Sequence, residues 1–237
     1  MLTEQQRLPA EQHIASLTPQ DVERYKIYFE DHVKPKTVED EFRRFVFAFA
    51  SVHTTFVSNC RMYEALKGLE WLHDADKLKA RIIESGAGLH NNRTKFIHAF
   101  SEFFWQHPGW FVKSRHETWV EYRDRIERRV AGLGFAKSAF ACELLYPAEC
   151  KVLCTDVHVL RLYGINANKV KQRELYEVEK HWTDTCDAAN VPATVARWSW
   201  WDKHQDGQPD SRYWAFVFEK ENWNERLSRI AEQSTTV

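Results

Sequence analysis

A mostly helical fold with a substantial core is predicted for these 237 residues, on three observations. Aromatic residues are plentiful (15 Phe, 10 Trp, 8 Tyr), whereas turn-forming residues are few (8 Gly, 7 Pro). Runs of β-branched residues are scarce, which argues against a sandwich or barrel. Apolar residues recur at three- and four-residue intervals through most of the chain, the period of a helix with one buried face. Hydrophobic residues make up 43% and charged residues 28%, the balance of a soluble chain with a real interior. The length fits one large domain or two small lobes.

Residues 1–18 read as a flexible lead-in or a short arm. Thr18-Pro19 can cap and start a helix running to about Val33, because Pro is pre-set for the first helical position. Lys34-Pro35-Lys36 breaks it. Thr37 then caps a long helix, with Asp40 in the capping-box place. Phe42, Phe45, Val46, Phe49 and Ala50 form its buried stripe, and the pattern continues past a bend near 51–55 toward Leu66. Short helices are expected at Leu69–Leu72 and Ala75–Ile83, then a turn at Ser85–Gly88. Asn91–Trp105 reads as a helix with Phe96, Ala99, Phe100 and Phe103 on one face, ended by Pro108-Gly109. Helices at about Glu117–Val130, Phe135–Leu145 and Cys154–Tyr163 follow. The last third carries helices near Lys171–Ala189, Thr194–Trp201 and Tyr213–Glu232, with a loop at Asp206–Pro209. The expected division is an N-terminal extension and helix over 1–36, a core over 37–220 and a C-terminal helix end and tail over 221–237.

Several function classes drop out. No apolar run is long enough to cross a bilayer. The five cysteines are odd in number and loosely spaced, and no signal-peptide pattern opens the chain, so a reducing cytoplasm is expected, the host's if the source is a phage. The formal net charge of −1 is mild evidence against a nucleic-acid partner. Charge can nevertheless be segregated, and Arg123, Arg125, Arg128, Arg129 and Lys137 cluster within fifteen residues.

That cluster surrounds the first chemical motif, Gly132-Leu133-Gly134, expected inside a hairpin spanning about 118–146. Two glycines one residue apart stop a helix and let the backbone turn sharply. The next helix starts at once, and its unsatisfied N–H groups can hold a phosphate oxygen. Leu133 can plug between the two helices, while Arg128, Arg129 and Lys137 neutralise phosphate charge. The plainer alternative is a helix junction without a ligand.

Twenty residues beyond Ala136 lies Asp156, in Val152-Leu153-Cys154-Thr155-Asp156-Val157-His158. A carboxylate in an apolar stretch needs a reason to be there. Asp156 can cap the following helix. It can also stabilise positive charge that develops on a sugar as its base leaves, or activate a nucleophile. His158 reads more readily as a packed, hydrogen-bonded histidine. Cys150, Cys154 and His158 are spaced four apart, but no fourth ligand is evident and no metal is expected.

The segment Val130–Arg161, carrying the hairpin glycines and Thr155-Asp156-Val157-His158, resembles the helix-hairpin-helix DNA glycosylase superfamily. Gly88-Leu89-His90-Asn91-Asn92-Arg93-Thr94-Lys95-Phe96-Ile97 is similar to that superfamily's helix start ahead of the hairpin. The resemblance covers roughly residues 38–220. It implies an all-α fold of two lobes around a central cleft, double-stranded DNA as partner, a base flipped into the cleft, and Asp156 as the essential carboxylate. Arg93 and Lys95 would then join Gly132, Leu133, Gly134, Arg128, Arg129 and Lys137 at the DNA. Phe49, His53, Thr54, His158 and Trp198 would wall the base pocket. A monomer without cofactor is implied, save for a structural monovalent cation at the hairpin.

One departure matters. Members that also cleave the strand carry a nucleophilic lysine two residues after the second hairpin glycine, and Ala136 stands there. Lys137 is one residue on, rotated by about 100° round a helix, and is expected to supply charge at phosphate rather than a Schiff base. A monofunctional glycosylase, using water, fits this. So does a phage-associated branch of the superfamily that resembles this sequence in Gly-Leu-Gly-Phe-Ala-Lys-Ser-Ala-Phe. Its members are thought to transfer an amino acid, from an amino-acid donor, onto an activated 5-methyluracil-type base in DNA. A DNA-binding module without catalysis is the third reading.

Overall fold

The computed structural model describes residues 1–52 and 56–205, and these fold into helices joined by short loops, with no strand among them. His53 and Thr54, the loop at 206–209, the helix expected at Tyr213–Glu232 and everything else beyond 205 lie outside the described residues. No helix among the described residues is long and apolar enough to cross a membrane.

Eleven α-helices are described: α1 (Glu4–Ala15), α2 (Pro19–Tyr28), α3 (Val38–Ala50), α4 (Phe56–Leu66), α5 (Ala75–Glu84), α6 (His90–Gln106), α7 (Trp119–Arg129), α8 (Phe135–Leu145), α9 (Val157–Leu162), α10 (Gln172–Ala188) and α11 (Ala193–Gln205). The starts follow local chemistry. Thr18, Thr37 and Thr118 each accept from the backbone three residues on and receive the reciprocal carboxylate of a capping box. α2 passes into one π-helical turn, Phe29–Val33, so the expected single helix to Val33 is two geometries in series.

Two expectations are corrected. The lead-in is a helix: Thr3 forms a capping box with Gln6, and α1 buries Ala10, His13 and Ile14. Its apolar face is narrow and Pro9 sits inside it, so the sequence lacks the stripe that marks the other helices. Leu69–Leu72 is a turn rather than a helix, pinned by the Trp71 indole donating to the Leu66 carbonyl at 3.0 Å.

α3 is the centre of the packing, with α4, α6 and α8 laid against it. Phe42, Phe45 and Phe49 on α3 meet Phe100 on α6 at centroid distances of 5.2–5.5 Å. α5 closes over α4 and α6, α7 pairs with α8, and α10 packs between α1 and α11. α1 is tied down through His13, whose Nε2 lies 2.9 Å from the Ala196 carbonyl of α11 and 3.2 Å from Ser199 Oγ. The result places two chain reversals near each other in sequence: the turn between α7 and α8, and the start of α9.

Candidate nucleic-acid interface and active site

α7 ends at Arg129, and the chain reverses through Ala131–Gly134 before α8 begins. Gly132 has φ +94°, and a Cβ there would sit 2.6 Å from the Phe96 ring of α6. It is glycine for two reasons, the left-handed backbone and the aromatic ring pressed onto it. Gly134 differs. It is the extended N-cap of α8 (φ −78°, ψ −177°), has open space where a Cβ would be, and supplies no side-chain cap. Its carbonyl receives the N–H groups of Lys137 and Ser138 at 3.0 and 2.9 Å. Glu127 of α7 engages the Phe135 N–H. The N–H groups of Gly134 and Ala136 have no acceptor among the described residues. Two backbone donors at a positive helix end, without a side chain over them, make an anion seat.

Leu133, in the turn between α7 and α8, is buried (2% exposed). The basic cluster divides. Arg128 and Arg129 are exposed and make no hydrogen bond or ion pair among the described residues; Arg129 lies flat on Phe103, 3.9 Å from its centroid. Lys95 is likewise exposed. Arg125 is committed to Glu117 (2.6 Å) and to the carbonyls of Trp110 and Val112. Arg123 is fully buried, paired with Glu179 at 2.9 Å and stacked 3.7 Å over Phe135, the first residue of α8. Burial pushes the Glu179 carboxyl up to about 7 against the attraction of Arg123. Glu179 also accepts the Leu153 N–H at 3.0 Å, so one ion pair fastens both the hairpin and the segment leading to Asp156.

Asp156 is the N-cap of α9. Its Oδ1 accepts the N–H groups of His158 and Val159 at 2.9 and 3.0 Å. Oδ2 lies 3.5 Å from the Nη1 of Arg197 on α11, and the side chain stays 17% exposed. Thus the cap uses one oxygen, the other lies against Arg197, and the side chain as a whole keeps part of its surface exposed. The cap and the chemical reading are compatible because they draw on different atoms. Behind it, Glu143 of α8 is fully buried. Its Oε2 accepts Arg197 Nε at 2.6 Å and Trp198 Nε1 at 3.3 Å, and its Oε1 accepts the Cys154 N–H at 2.7 Å. Burial holds the Glu143 carboxyl above its ordinary range, although Arg197 pulls it down.

Lys137 follows Ala136 in the first turn of α8. The residue is half-buried and its ammonium stands over the Phe140 ring, 5.4 Å from the centroid. The Arg197 guanidinium stands 5.3 Å from the same ring. Lys137 also reaches Cys154 electrostatically, although burial outweighs it and pushes that thiol up to about 12.

Three expected site residues are corrected by burial. Arg93 is 5% exposed and donates to the carbonyls of Ala50 (3.1 Å) and Val52 (2.7 Å), closing the end of α3 rather than meeting DNA. Phe49 is 3% exposed and stacks in the α3–α6 core. Trp198 is fully buried, edge-on to Phe29 at 5.0 Å. Arg197 is buried as well. His158 keeps a half-buried place one residue into α9. Glu143 was missed. Its signal was present: one charge in the apolar run Ala139-Phe140-Ala141-Cys142-Glu143-Leu144-Leu145. Among the described residues no group of three or more His, Cys, Asp or Glu side chains could hold a metal ion.

No protein-family model matches the sequence, and no curated protein matches it. Solved structures do share its shape. The 8-oxoguanine DNA glycosylase of Thermotoga maritima superposes with a TM-score of 0.61 at 18% identity, over 81% of this chain and 90% of that one. The 8-oxoguanine glycosylase/lyase of Methanocaldococcus jannaschii, solved with a 15mer DNA containing 8-oxoguanine, gives 0.59 at 18% identity, over 84% and 90%. The chain therefore has the all-helical fold of the helix-hairpin-helix DNA glycosylases.

Proposed function

We propose that this protein is a DNA glycosylase that holds duplex DNA at the hairpin, extrudes a damaged or modified nucleotide, and hydrolyses its N-glycosidic bond without a lysine adduct. The observation that carries this is the Asp156 carboxylate. One oxygen is fixed by the α9 backbone, the other is set against Arg197, and the side chain stays 17% exposed, in a fold shared with proteins named as glycosylases. In the reaction the C1′–N bond breaks with its electron pair going to the base. Asp156 stabilises the positive charge left on the sugar and takes the proton of the water that bonds to C1′. Ala136 stands where a strand-cleaving member carries its nucleophile, so water is the attacking group. Phosphate is held by the N–H groups of Gly134 and Ala136, with Arg128, Arg129 and Lys95 around them.

The solved neighbours are named for 8-oxoguanine, which makes an oxidised purine the first base to test. A defined duplex panel, incubated with and without an amino-acid donor, is read by mass spectrometry. Loss of a base supports hydrolysis. Gain of mass on a 5-substituted uracil, dependent on the donor, establishes the transferase instead. No change with tight binding leaves a binding module. Borohydride trapping on the same duplexes is expected to give no covalent adduct, and an adduct abolished by Lys137→Ala would overturn the lysine-free mechanism.

A further inference from the structure

We propose that Arg197, with Glu143 as its buried counter-ion, is the positioning residue that orients the Asp156 carboxylate for the reaction through Oδ2, the oxygen the α9 backbone does not bind. The inference rests on the reading of Asp156 given above. Arg197 is 1% exposed and Glu143 fully buried. Burying such a pair carries a large desolvation penalty, and well-packed apolar residues in its place are often neutral or stabilising. The pair is placed where it meets Asp156. The guanidinium fork is side-on to Glu143, with Nε and Nη2 each 2.6 Å from Oε2. That leaves Nη1, the third corner, 3.5 Å from Asp156 Oδ2. Phe140 covers the guanidinium, 5.3 Å from the ring centroid. Glu143 completes the frame by accepting the Cys154 N–H two residues before Asp156. A planar fork can engage two carboxylates at fixed angles, whereas an ammonium cannot. The α9 backbone holds one oxygen of Asp156 by two hydrogen bonds, and Arg197 attracts the other as an ion pair at 3.5 Å.

The test is Arg197→Lys, which keeps a buried positive charge, beside Arg197→Met/Glu143→Gln, which removes both charges but keeps an acceptor for the Cys154 N–H. Single-turnover base release, duplex dissociation constant and thermal melting are measured for each, on the duplex that Proposed function identifies. Turnover is expected to fall by between about 10- and about 100-fold in the folded variants, as for a displaced reacting group, with duplex affinity unchanged. Either variant, folded and turning over at the unmodified rate, overturns the inference. The double variant stays informative if Arg197→Lys fails to fold, because a purely structural pair is replaced without loss of rate. Asp156→Asn is run in parallel. If it keeps full rate, the reading of Asp156 fails and this inference with it. If it is inactive while Arg197→Lys is fully active, only the positioning role is overturned.

Discussion

At the hairpin the proposed working groups are the backbone N–H groups of Gly134 and Ala136, with exposed Arg128 and Arg129 shortly before them in the chain. At the start of α9 the proposed working group is one carboxylate, that of Asp156, backed by a fully buried Glu143 and a buried Arg197. The two regions are joined by the Arg123–Glu179 pair, which stacks under Phe135 on one side and holds the Leu153 N–H on the other. The contrast separates binding from chemistry. Backbone donors tolerate exchange of neighbouring side chains and recognise any phosphate. A single framed carboxylate tolerates no loss of charge. Substitutions in the two regions are therefore expected to fail in different measurements.

The largest effect is expected at Asp156. Asn keeps an oxygen to accept the His158 and Val159 N–H groups and is itself a good N-cap, so melting should move little. The charge beside the reacting sugar is gone, and single-turnover rate should fall by about 100-fold or more. Duplex affinity should hold. Full rate in Asp156→Asn, with melting unchanged, would make Asp156 a cap and nothing else.

Acid should strike the carboxylate side of the molecule next. His13 docks α1 on α11 at Ala196, the residue before Arg197, and burial lowers its pKa to about 4. For a base with a depressed folded pKa, the folded state binds fewer protons. The stability is complete above the unfolded value of about 6.5 and is lost as pH falls from there toward about 4. At pH ~5 the loss is about 2 kcal/mol, or roughly 4–8 °C in Tm for a chain of this size. His13→Gln keeps a donor for the Ala196 carbonyl without titrating. Melting of both proteins at pH ~7.5 and pH ~5 should show the unmodified protein losing more. Parallel losses would remove His13 as the cause.

The helices were legible because aromatic stripes such as Phe42, Phe45 and Phe49 repeat at the helical period, and because Thr18, Thr37 and Thr118 advertise their caps. α1 was hidden, since three buried residues and an internal proline make no stripe. At the site, the glycines and Asp156 were readable as local chemistry. The fate of the arginines was not. Arg93, Arg123, Arg125 and Arg197 look alike in sequence to Arg128 and Arg129, and only the fold decides that the first four meet carbonyls, Glu117, Glu143 and Glu179. The same holds for Phe49 and Trp198, because a large ring reads alike in a core and in a base pocket.

The two hairpin glycines sharpen the comparison from within one turn. Gly132→Ala forces a Cβ into the Phe96 ring at a left-handed φ, and is expected to lower stability by about 1–3 kcal/mol. A Cβ at Gly134 meets nothing within 4 Å on an extended backbone, so melting of Gly134→Val should hold. Its branched side chain stands over the anion seat, and duplex affinity should drop by about tenfold, or about 1.4 kcal/mol, whatever the base. Unchanged affinity in folded Gly134→Val would take the phosphate away from this helix end.

The smallest effect should come from the exposed arginines, and it is best read in salt. Arg128 touches no carboxylate by hydrogen bond or ion pair and packs against no ring among the described residues, so Arg128→Ala should shift stability by no more than about 0.5 kcal/mol. If its guanidinium neutralises one phosphate, the slope of log affinity against log salt should become shallower by about 0.9, with the turnover of bound DNA unaltered. Arg129 adds a complication, because its guanidinium lies on Phe103 at 3.9 Å and Arg129→Ala loses packing as well as charge. Its slope should change by a similar amount while its melting temperature falls further than that of Arg128→Ala. Equal slopes for Arg128→Ala, Arg129→Ala and the unmodified protein, all folded, would show that the duplex approaches the hairpin from another side. The exposed half of the basic cluster would then be a solvated face, and the seat at Gly134 and Ala136 would have to hold phosphate with backbone dipoles alone.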